Sequence, residues 1–348
     1  MNDKPEPGSQ EARERIAIVI PAYKIAHHIG RVISGIPKWV NIIIVVDDGS
    51  PDDTIKRVLE VGDPRVRLLR HQMNRGVGYA AMTGFDYAVA EGCTVLVKMD
   101  GDGQMDPNLI IELVNPIIGG EADFVKGNRF ADPTAIGRMP FLRRAGNLAL
   151  SFLTKISSGC WQAFDPTNGF FALDASVYSL LNKKMIHDRY FFEISLLFVL
   201  NLERAVIHNV PMQAKYGDEK SSMSLGRVLM EFPWLLFRQL LKRIWLQYFV
   251  LGFSVASLFL VSGTFLCAFG TVWGLVSWVR SLHTGVVATT GTVMIAVLPL
   301  ILGFQLLIQT IVFDVTQVPV HPRSKLWRYR WQHPPLLSAD RSDQLLME

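Results

Sequence analysis

Charge is what this 348-residue chain runs short of, and the shortage is local. Asp, Glu, Lys and Arg are absent from Ile244 to Val279, and absent again from Ser281 to Phe313. Each gap exceeds the ~20 residues that an α-helix needs to cross a bilayer core. Helices of a soluble core ordinarily keep a polar face, and these stretches have almost none. Two membrane spans are therefore expected, drawn at Phe249–Trp278 and Val286–Phe313 around a turn at Arg280–Gly285; two buried helices of a soluble core are the alternative. Cysteine is scarce too. Cys93, Cys160 and Cys267 lie far apart without a CxxC pair, which argues against a disulfide scaffold or a zinc finger. A net charge of +4 is too mild to support nucleic-acid binding by bulk charge. The first fifteen residues are polar and lack the apolar core of a signal peptide.

The cations that do occur near the gaps are unevenly placed. Arg227, Arg238, Lys242 and Arg243 precede the first, and Arg323, Lys325, Arg328 and Arg330 follow the second. The hairpin between them offers Arg280 and His283. The positive-inside rule then places both termini and the large N-terminal region in the cytoplasm, at the cell's inner membrane. Residues 225–248 are apolar with scattered cations and are interrupted by Pro233. They are expected to form amphipathic helices in the membrane interface, with an ordinary helix packed on the soluble domain as the alternative.

Ahead of these segments, short apolar runs alternate with helical periodicity. Arg15–Pro21, Asn41–Asp47, Val66–Arg70, Thr94–Asp100 and Phe124–Lys126 read as strands. His27–Ile36, Asp53–Val61 and Gly78–Ala90 read as helices. Such alternation predicts an α/β fold with a mostly parallel sheet, whose ligands bind beyond the carboxyl ends of the strands. Polar residues gather at those ends: Tyr23 and Lys24, Asp47 and Asp48, Asp100 and Asp102.

The carboxylates carry the expected chemistry. In Asp100-Gly101-Asp102-Gly103-Gln104 two acids stand at i and i+2, which in extended chain sends both to one side. Hard divalent cations take oxygen ligands, and Mg²⁺ completes its shell with water and substrate phosphates. A metal here would bridge a nucleotide diphosphate. A solvated acidic turn has the same composition, but the position at a strand end beside other carboxylates favours the metal. Asp48 is assigned to the nucleotide, where a carboxylate accepts from ribose hydroxyls or base N–H groups. Asp47 is left between that role and capping of the helix entered near Asp53–Thr54. Gly76-Val77-Gly78-Tyr79-Ala80-Ala81 nominally matches a dinucleotide fingerprint but does not follow the first strand of its unit, so a nicotinamide or flavin site is not expected.

Several stretches in order resemble the family 2 glycosyltransferases, in particular the polyprenyl-phosphate transferases such as dolichyl-phosphate mannose synthase. They are IPAYK (Ile20–Lys24), VDDGSPDDT (Val46–Thr54), NRGVGYAAMTG (Asn74–Gly84) and DGDGQMDP (Asp100–Pro107). GNRF (Gly127–Phe130), DPTNGFFAL (Asp165–Leu173) and RYFFEISLL (Arg189–Leu197) continue the likeness, which spans roughly residues 15–225. The resemblance implies a GT-A fold, a nucleotide diphosphate sugar (UDP- or GDP-linked) as donor, Mg²⁺ or Mn²⁺, and inversion at the anomeric carbon. It also implies a polyprenyl phosphate acceptor and a homo-oligomer, with a tetramer expected.

Carried over residue by residue, Pro21, Ala22, Tyr23, Asp47, Asp48, Asn74, Gly76, Asp100, Gly101, Asp102 and Arg129 would surround the donor. Asp100, Asp102 and Gln104 would hold the metal. Asp102, Arg129 and Glu193 would be the catalytic set, with Glu193 equally suited to a structural role at a helix start. Arg143, Arg144, Lys215 and Lys220 are the candidates for the acceptor phosphate, the first two equally suited to a solvated or membrane-facing helix surface. Lys24 stands where related sequences commonly read Asn, Phe171 where they read Arg, and Lys215 where mannose synthases tend to have Arg. The expected layout is a polar tail (1–14), a GT-A domain (15–224), interfacial helices (225–248), two transmembrane helices (249–313) and a cytoplasmic tail (314–348). A processive polysaccharide synthase and an inactive membrane scaffold are the competing functions.

Overall fold

The computed structural model describes residues 14–131, 141–212 and 225–325, and for 141–145, 147 and 225–230 the backbone alone. Through the first half, strand and helix alternate: β1 (Ile16–Ala22), α1 (Ile29–Gly35), β2 (Ile42–Asp47), α2 (Thr54–Glu60), β3 (Val66–Arg70), α3 (Val77–Ala90), β4 (Val95–Lys98) and α4 (Ile110–Ile118). Then come β5 (Phe124–Asn128), α5 (Phe141–Ser158), β6 (Phe171–Asp174), α6 (Ala175–Leu180), α7 (Phe192–Leu202) and β7 (Ile207–Pro211). Three long helices end the described chain: α8 (Leu225–Trp245), α9 (Val255–Thr284) and α10 (Thr290–Thr316).

The strands form one seven-stranded sheet in the order β3-β2-β1-β4-β6-β5-β7. Only β6 runs antiparallel to its neighbours β4 and β5. Alternate side chains leave opposite faces of each strand, so one strand serves two cores. Ala17, Val19, Ile44 and Val46 pack with Ala80, Phe85, Phe192 and Leu196 of α3 and α7. Ile18, Ile20, Ile43 and Val45 pack with Ile29, Val32, Leu113 and Ile117 of α1 and α4. Strands buried on both faces read as unbroken apolar runs, which is why IAIVIPA and IIIVVD stand out. The result is the three-layer α/β architecture expected of a GT-A domain.

Two membrane-scale helices follow it. α9 and α10 are long and apolar enough to cross a bilayer, judged by length and composition. They pack through small residues. A Cβ at Gly270 would come 2.6 Å from the Ala296 carbonyl, and one at Gly303 would come 2.7 Å from Cys267 Sγ. Glycines that let backbones approach this closely are a mark of helix pairs in lipid.

Their bounds differ from expectation. α9 begins at Val255, after a π-helical turn over Leu246–Val250, and continues through Arg280 to Thr284. It stops where Gly285 takes a left-handed conformation at φ +67, and Thr289 then caps α10 by accepting from Thr292 N–H. Pro233 does not interrupt the preceding segment either: α8 is one continuous helix. Phe232 and Leu236, on either side of the proline, are clamped against Phe191 and Ile194. That packing offsets the single backbone hydrogen bond that proline removes.

Candidate active site

The carboxyl ends of β1, β2 and β4 converge, and the polar residues foreseen there lie at that edge. Tyr23 follows β1 and is 41% exposed. Lys24 is next, at φ +57, with its N–H donating to Ser50 Oγ at 3.1 Å and its ammonium 5.2 Å from the Tyr23 ring centre. Asn is the residue that tolerates this left-handed conformation best after Gly, so a lysine here carries a backbone cost.

The paired aspartates at the end of β2 are buried. Asp47 accepts from Ser50 N–H at 3.3 Å and closes the Asp-Asp-Gly-Ser turn. It does not cap α2, whose first residue Thr54 is instead engaged by Asp52 at 2.6 Å. Asp48, 2% exposed, meets His71 Nδ1 at 2.8 Å and accepts from Arg75 N–H at 3.0 Å and Gly76 N–H at 2.7 Å. Its carboxylate is committed to the loop 71–76, so contact with a base or ribose would have to be made in exchange for these donors. Asn74 and Gly76 ride on that same loop. Gly76 (φ +111) and Gly78 lie against the chain before α7: added Cβ atoms would come 2.4 Å from the Asp188 carbonyl and 2.3 Å from that of His187. These glycines therefore serve close packing.

The acid pair leaves β4. Asp102 accepts from Gln104 N–H at 2.9 Å, folding the Asp100–Gln104 turn on itself, with Gly103 at φ +79. Among the described residues no three His, Cys, Asp or Glu side chains converge as a metal cluster. Two carboxylates and the Gln104 amide are nonetheless an all-oxygen donor set, which fits a hard divalent cation that completes its shell with phosphate and water.

Asp100 has a partner that sequence reading missed. Lys98, whose side chain is 1% exposed, donates to Asp100 Oδ1 at 2.6 Å and to the Gly169 carbonyl at 3.3 Å, and pairs with Glu193 Oε1 at 3.2 Å. Burial opposes the charge, but Asp100 and Glu193 hold the Lys98 ammonium above its ordinary value. A second buried lysine, Lys126, donates to the Asn168 carbonyl. Burial pushes it down to about 8, against the pull of Glu193 and Asp165. Lys98 and Lys126 both register opposite Phe171, so the three share one sheet face, beneath α7. The signal was available: Lys98 follows Leu96, and Lys126 follows Phe124, at the core-facing period of their strands.

Arg129 clamps Asp165 through Nε at 2.7 Å and Nη2 at 2.9 Å, and Nη2 also reaches Thr167 at 3.4 Å. Asp165 thereby joins the end of β5 to the Asp-Pro-Thr-Asn-Gly loop. Glu193 sits in the first turn of α7, turned toward Lys98. Of the acceptor-phosphate candidates, Lys215 and Lys220 lie outside the described residues, and the side chains of Arg143 and Arg144 do as well.

Sequence comparison decides the family. A UDP-N-acetylglucosamine–dolichyl-phosphate N-acetylglucosaminyltransferase from Methanococcus voltae is 30% identical over 234 residues, 63% of this chain and 92% of that protein. The profile described as Glycosyl transferase family 2 matches residues 17–181. The chain belongs to glycosyltransferase family 2. A polyprenol monophosphomannose synthase from Mycolicibacterium smegmatis is a further relative of this transferase, 30% identical over 55% of this chain and 74% of that protein. Among solved structures, glucosyl-3-phosphoglycerate synthase from Mycobacterium tuberculosis matches with a TM-score of 0.51 and 23% identity, over 67% of this chain and 80% of that one. That likeness shows the fold; the synthase has also been crystallised with Mn²⁺ and UDP-glucose.

Proposed function

We propose that this glycosyltransferase moves one sugar from a UDP- or GDP-sugar to the phosphate of a polyprenyl lipid, undecaprenyl or dolichyl, with inversion. The observation that carries the lipid acceptor is a buried junction centred on Asp314, at the end of α10. Its carboxylate accepts from Trp161 Nε1 at 2.7 Å, from Tyr248 at 3.0 Å and from Gln247 at 3.2 Å, and pairs with Arg243. Trp161 belongs to the sheet domain, Arg243 to α8 and Asp314 to the second apolar helix. Such a joint fixes the transferase domain against a membrane hairpin, where a substrate confined to the bilayer is found. The relatives named for dolichyl-phosphate and polyprenol transfer support the same reading.

In this reading both termini and the sheet domain are cytoplasmic, and transfer occurs on that leaflet of the inner membrane. Pro21, Ala22, Tyr23, Asn74 and Gly76 line the nucleoside pocket, with Asp47 and Asp48 shaping it. Asp100, Asp102 and Gln104 would hold Mg²⁺ or Mn²⁺, which when bound would neutralise the leaving diphosphate. Arg129, kept rigid by Asp165, contributes charge to the phosphates. A lipid phosphomonoester is already anionic near neutral pH, so its attack on the sugar needs little help from a base. The protein's task is then to orient two sets of phosphates in line. Arg143, Arg144, Lys215 and Lys220 are proposed for the acceptor, and a homo-oligomer, a tetramer, for the assembly.

The test is a donor screen in nanodiscs with Mn²⁺ or Mg²⁺, short polyprenyl phosphate and labelled UDP- and GDP-sugars. Label entering the organic phase from one donor, and lost in Asp102→Asn, is the expected result. No transfer from any donor by folded, metal-binding protein overturns the lipid acceptor.

A further inference from the structure

Lys98 spends all three of its N–H donors, on Asp100 Oδ1, Glu193 Oε1 and the Gly169 carbonyl. Its side chain is 1% exposed. A Cβ at Gly169 would come 2.5 Å from both the Lys98 ammonium and Asp100 Oδ2, so the loop is glycine where the pair rests on it. Asp100 thus presents itself to any incoming ion with one oxygen already bonded to a fixed cation. Lys126 adds a second buried amine on the same sheet face, across Phe171. A bare divalent ion approaching Asp100 and Asp102 meets like charge attached to one of its own ligands. In a partly buried site such repulsion is strong and poorly screened. The protein ligands opposing it are few, since no third carboxylate, His or Cys joins the pair among the described residues.

We propose that Lys98 is a resident counter-cation of the acid pair, which makes the site weak for a bare divalent ion and strong for the ion accompanied by a nucleoside diphosphate. The proposal rests on the acid pair being the metal site. Two negative charges on the diphosphate offset the lysine, and its oxygens supply the missing ligands. The acid pair would then take up the metal together with the donor and release it with the spent diphosphate. Glu193 shares the lysine: its carboxylate draws part of the ammonium's charge away from Asp100 and so tunes the competition.

Mn²⁺ binding to the purified full chain, followed by the electron paramagnetic resonance of free Mn²⁺ with and without UDP or GDP, tests this without any transfer reaction. The wild type is expected to bind Mn²⁺ alone weakly and at least roughly tenfold more tightly with the fitting diphosphate. Lys98→Met should tighten binding of Mn²⁺ alone by roughly tenfold and shrink the gain from nucleotide. Glu193→Gln should do the reverse, weakening Mn²⁺ alone, because Lys98 is then left to Asp100. A general folding defect would weaken both variants, so opposite signs are diagnostic. Unchanged or weaker Mn²⁺ binding in folded Lys98→Met overturns the proposal. If that variant does not fold, unchanged or tighter binding in Glu193→Gln overturns it instead. Asp102→Asn separates the two levels: Mn²⁺ binding that survives it refutes the metal site itself, whereas binding lost there but indifferent to Lys98 refutes only the counter-cation.

Discussion

Two acid–base clusters, one at the sheet's edge and one at the junction with the long apolar helices, are built from the same materials to different ends. At the junction Asp314 is filled: its side chain is 7% exposed, and four donors from three parts of the chain cover both oxygens. At the edge Asp100 is half filled, its side chain 33% exposed and only Oδ1 held by Lys98. A carboxylate whose acceptor sites are all taken is a joint, because any new ligand must displace an existing one. A carboxylate with an oxygen to spare, beside a second acid, can take a ligand. Ion pairing alone does not tell the two apart; exposure and the acceptor count do.

That distinction predicts opposite phenotypes. Asp314→Ala strands Arg243, 3% exposed, without its counter-charge in the junction. Breaking a buried pair in this way costs about 3–5 kcal/mol, so the detergent-solubilised protein should melt far lower, while the fraction still folded keeps its kcat. Asp102→Asn should do the reverse. Thermal stability holds, and turnover falls by about a hundredfold or more as a charge proposed to hold the donor's metal is lost. If Asp314→Ala lost turnover without stability, the junction would be part of the site and the comparison would collapse.

The buried lysines sharpen the contrast further. Lys98 is held by two carboxylates, whereas Lys126 donates to a carbonyl and sits well below its ordinary value, at about 8, because burial outweighs the pull of Glu193 and Asp165. The folded protein therefore releases the Lys126 proton near pH 8, and the unfolded chain near the ordinary 10.5. Between these values the unfolded state binds more protons, so this contribution to stability rises with pH. Chemical denaturation of wild type and Lys126→Met at pH 7 and 9.5 should show the wild type gaining on the variant as pH rises. Parallel curves would mean that the amine stays charged throughout.

How far these features could be read in advance follows from how each residue is buried. β1, β2 and β4 were legible because strands covered on both faces leave unbroken apolar runs, as in IIIVVD, whereas β3 showed itself by a short apolar core between polar residues. β6 was not: Phe171–Asp174 is four residues long and inserts antiparallel between β4 and β5, a placement that nothing local encodes. β7 carries His208 and Asn209 at the sheet's edge and dilutes its own pattern. Pro233 suggested a break that packing by Phe232 and Leu236 overrides. In the site, the acid pair was visible because both carboxylates follow a strand. Lys98 and Lys126 were hidden, since a lysine in an apolar strand looks like an interruption until its core-facing register is seen. Asp314, the first charge after a long apolar stretch, reads as the end of a span rather than as its anchor.

The smallest effect concerns the backbone, and it falls on both regions at once. Two described non-glycine residues have clearly positive φ: Lys24 at +57 beside the proposed donor edge, and Arg204 at +53 beside the junction. The left-handed region costs an ordinary L-residue about 1–2 kcal/mol, less for Asn and none for Gly. Arg204 follows the end of α7, where glycine is the usual terminator, and its guanidinium reaches the Gln317 carbonyl only at a long 3.5 Å. Arg204→Gly should therefore stabilise by about 0.5–1 kcal/mol with kinetics unchanged. Lys24→Asn should gain a similar or smaller amount, but it also removes the ammonium that lies over Tyr23, so KM for the nucleotide sugar should shift while kcat does not. Melting temperature and donor KM for the two variants, measured side by side, separate relief of strain at a joint from the same relief at a site. A KM shift in Arg204→Gly, or none in Lys24→Asn, would place the donor pocket elsewhere than the end of β1.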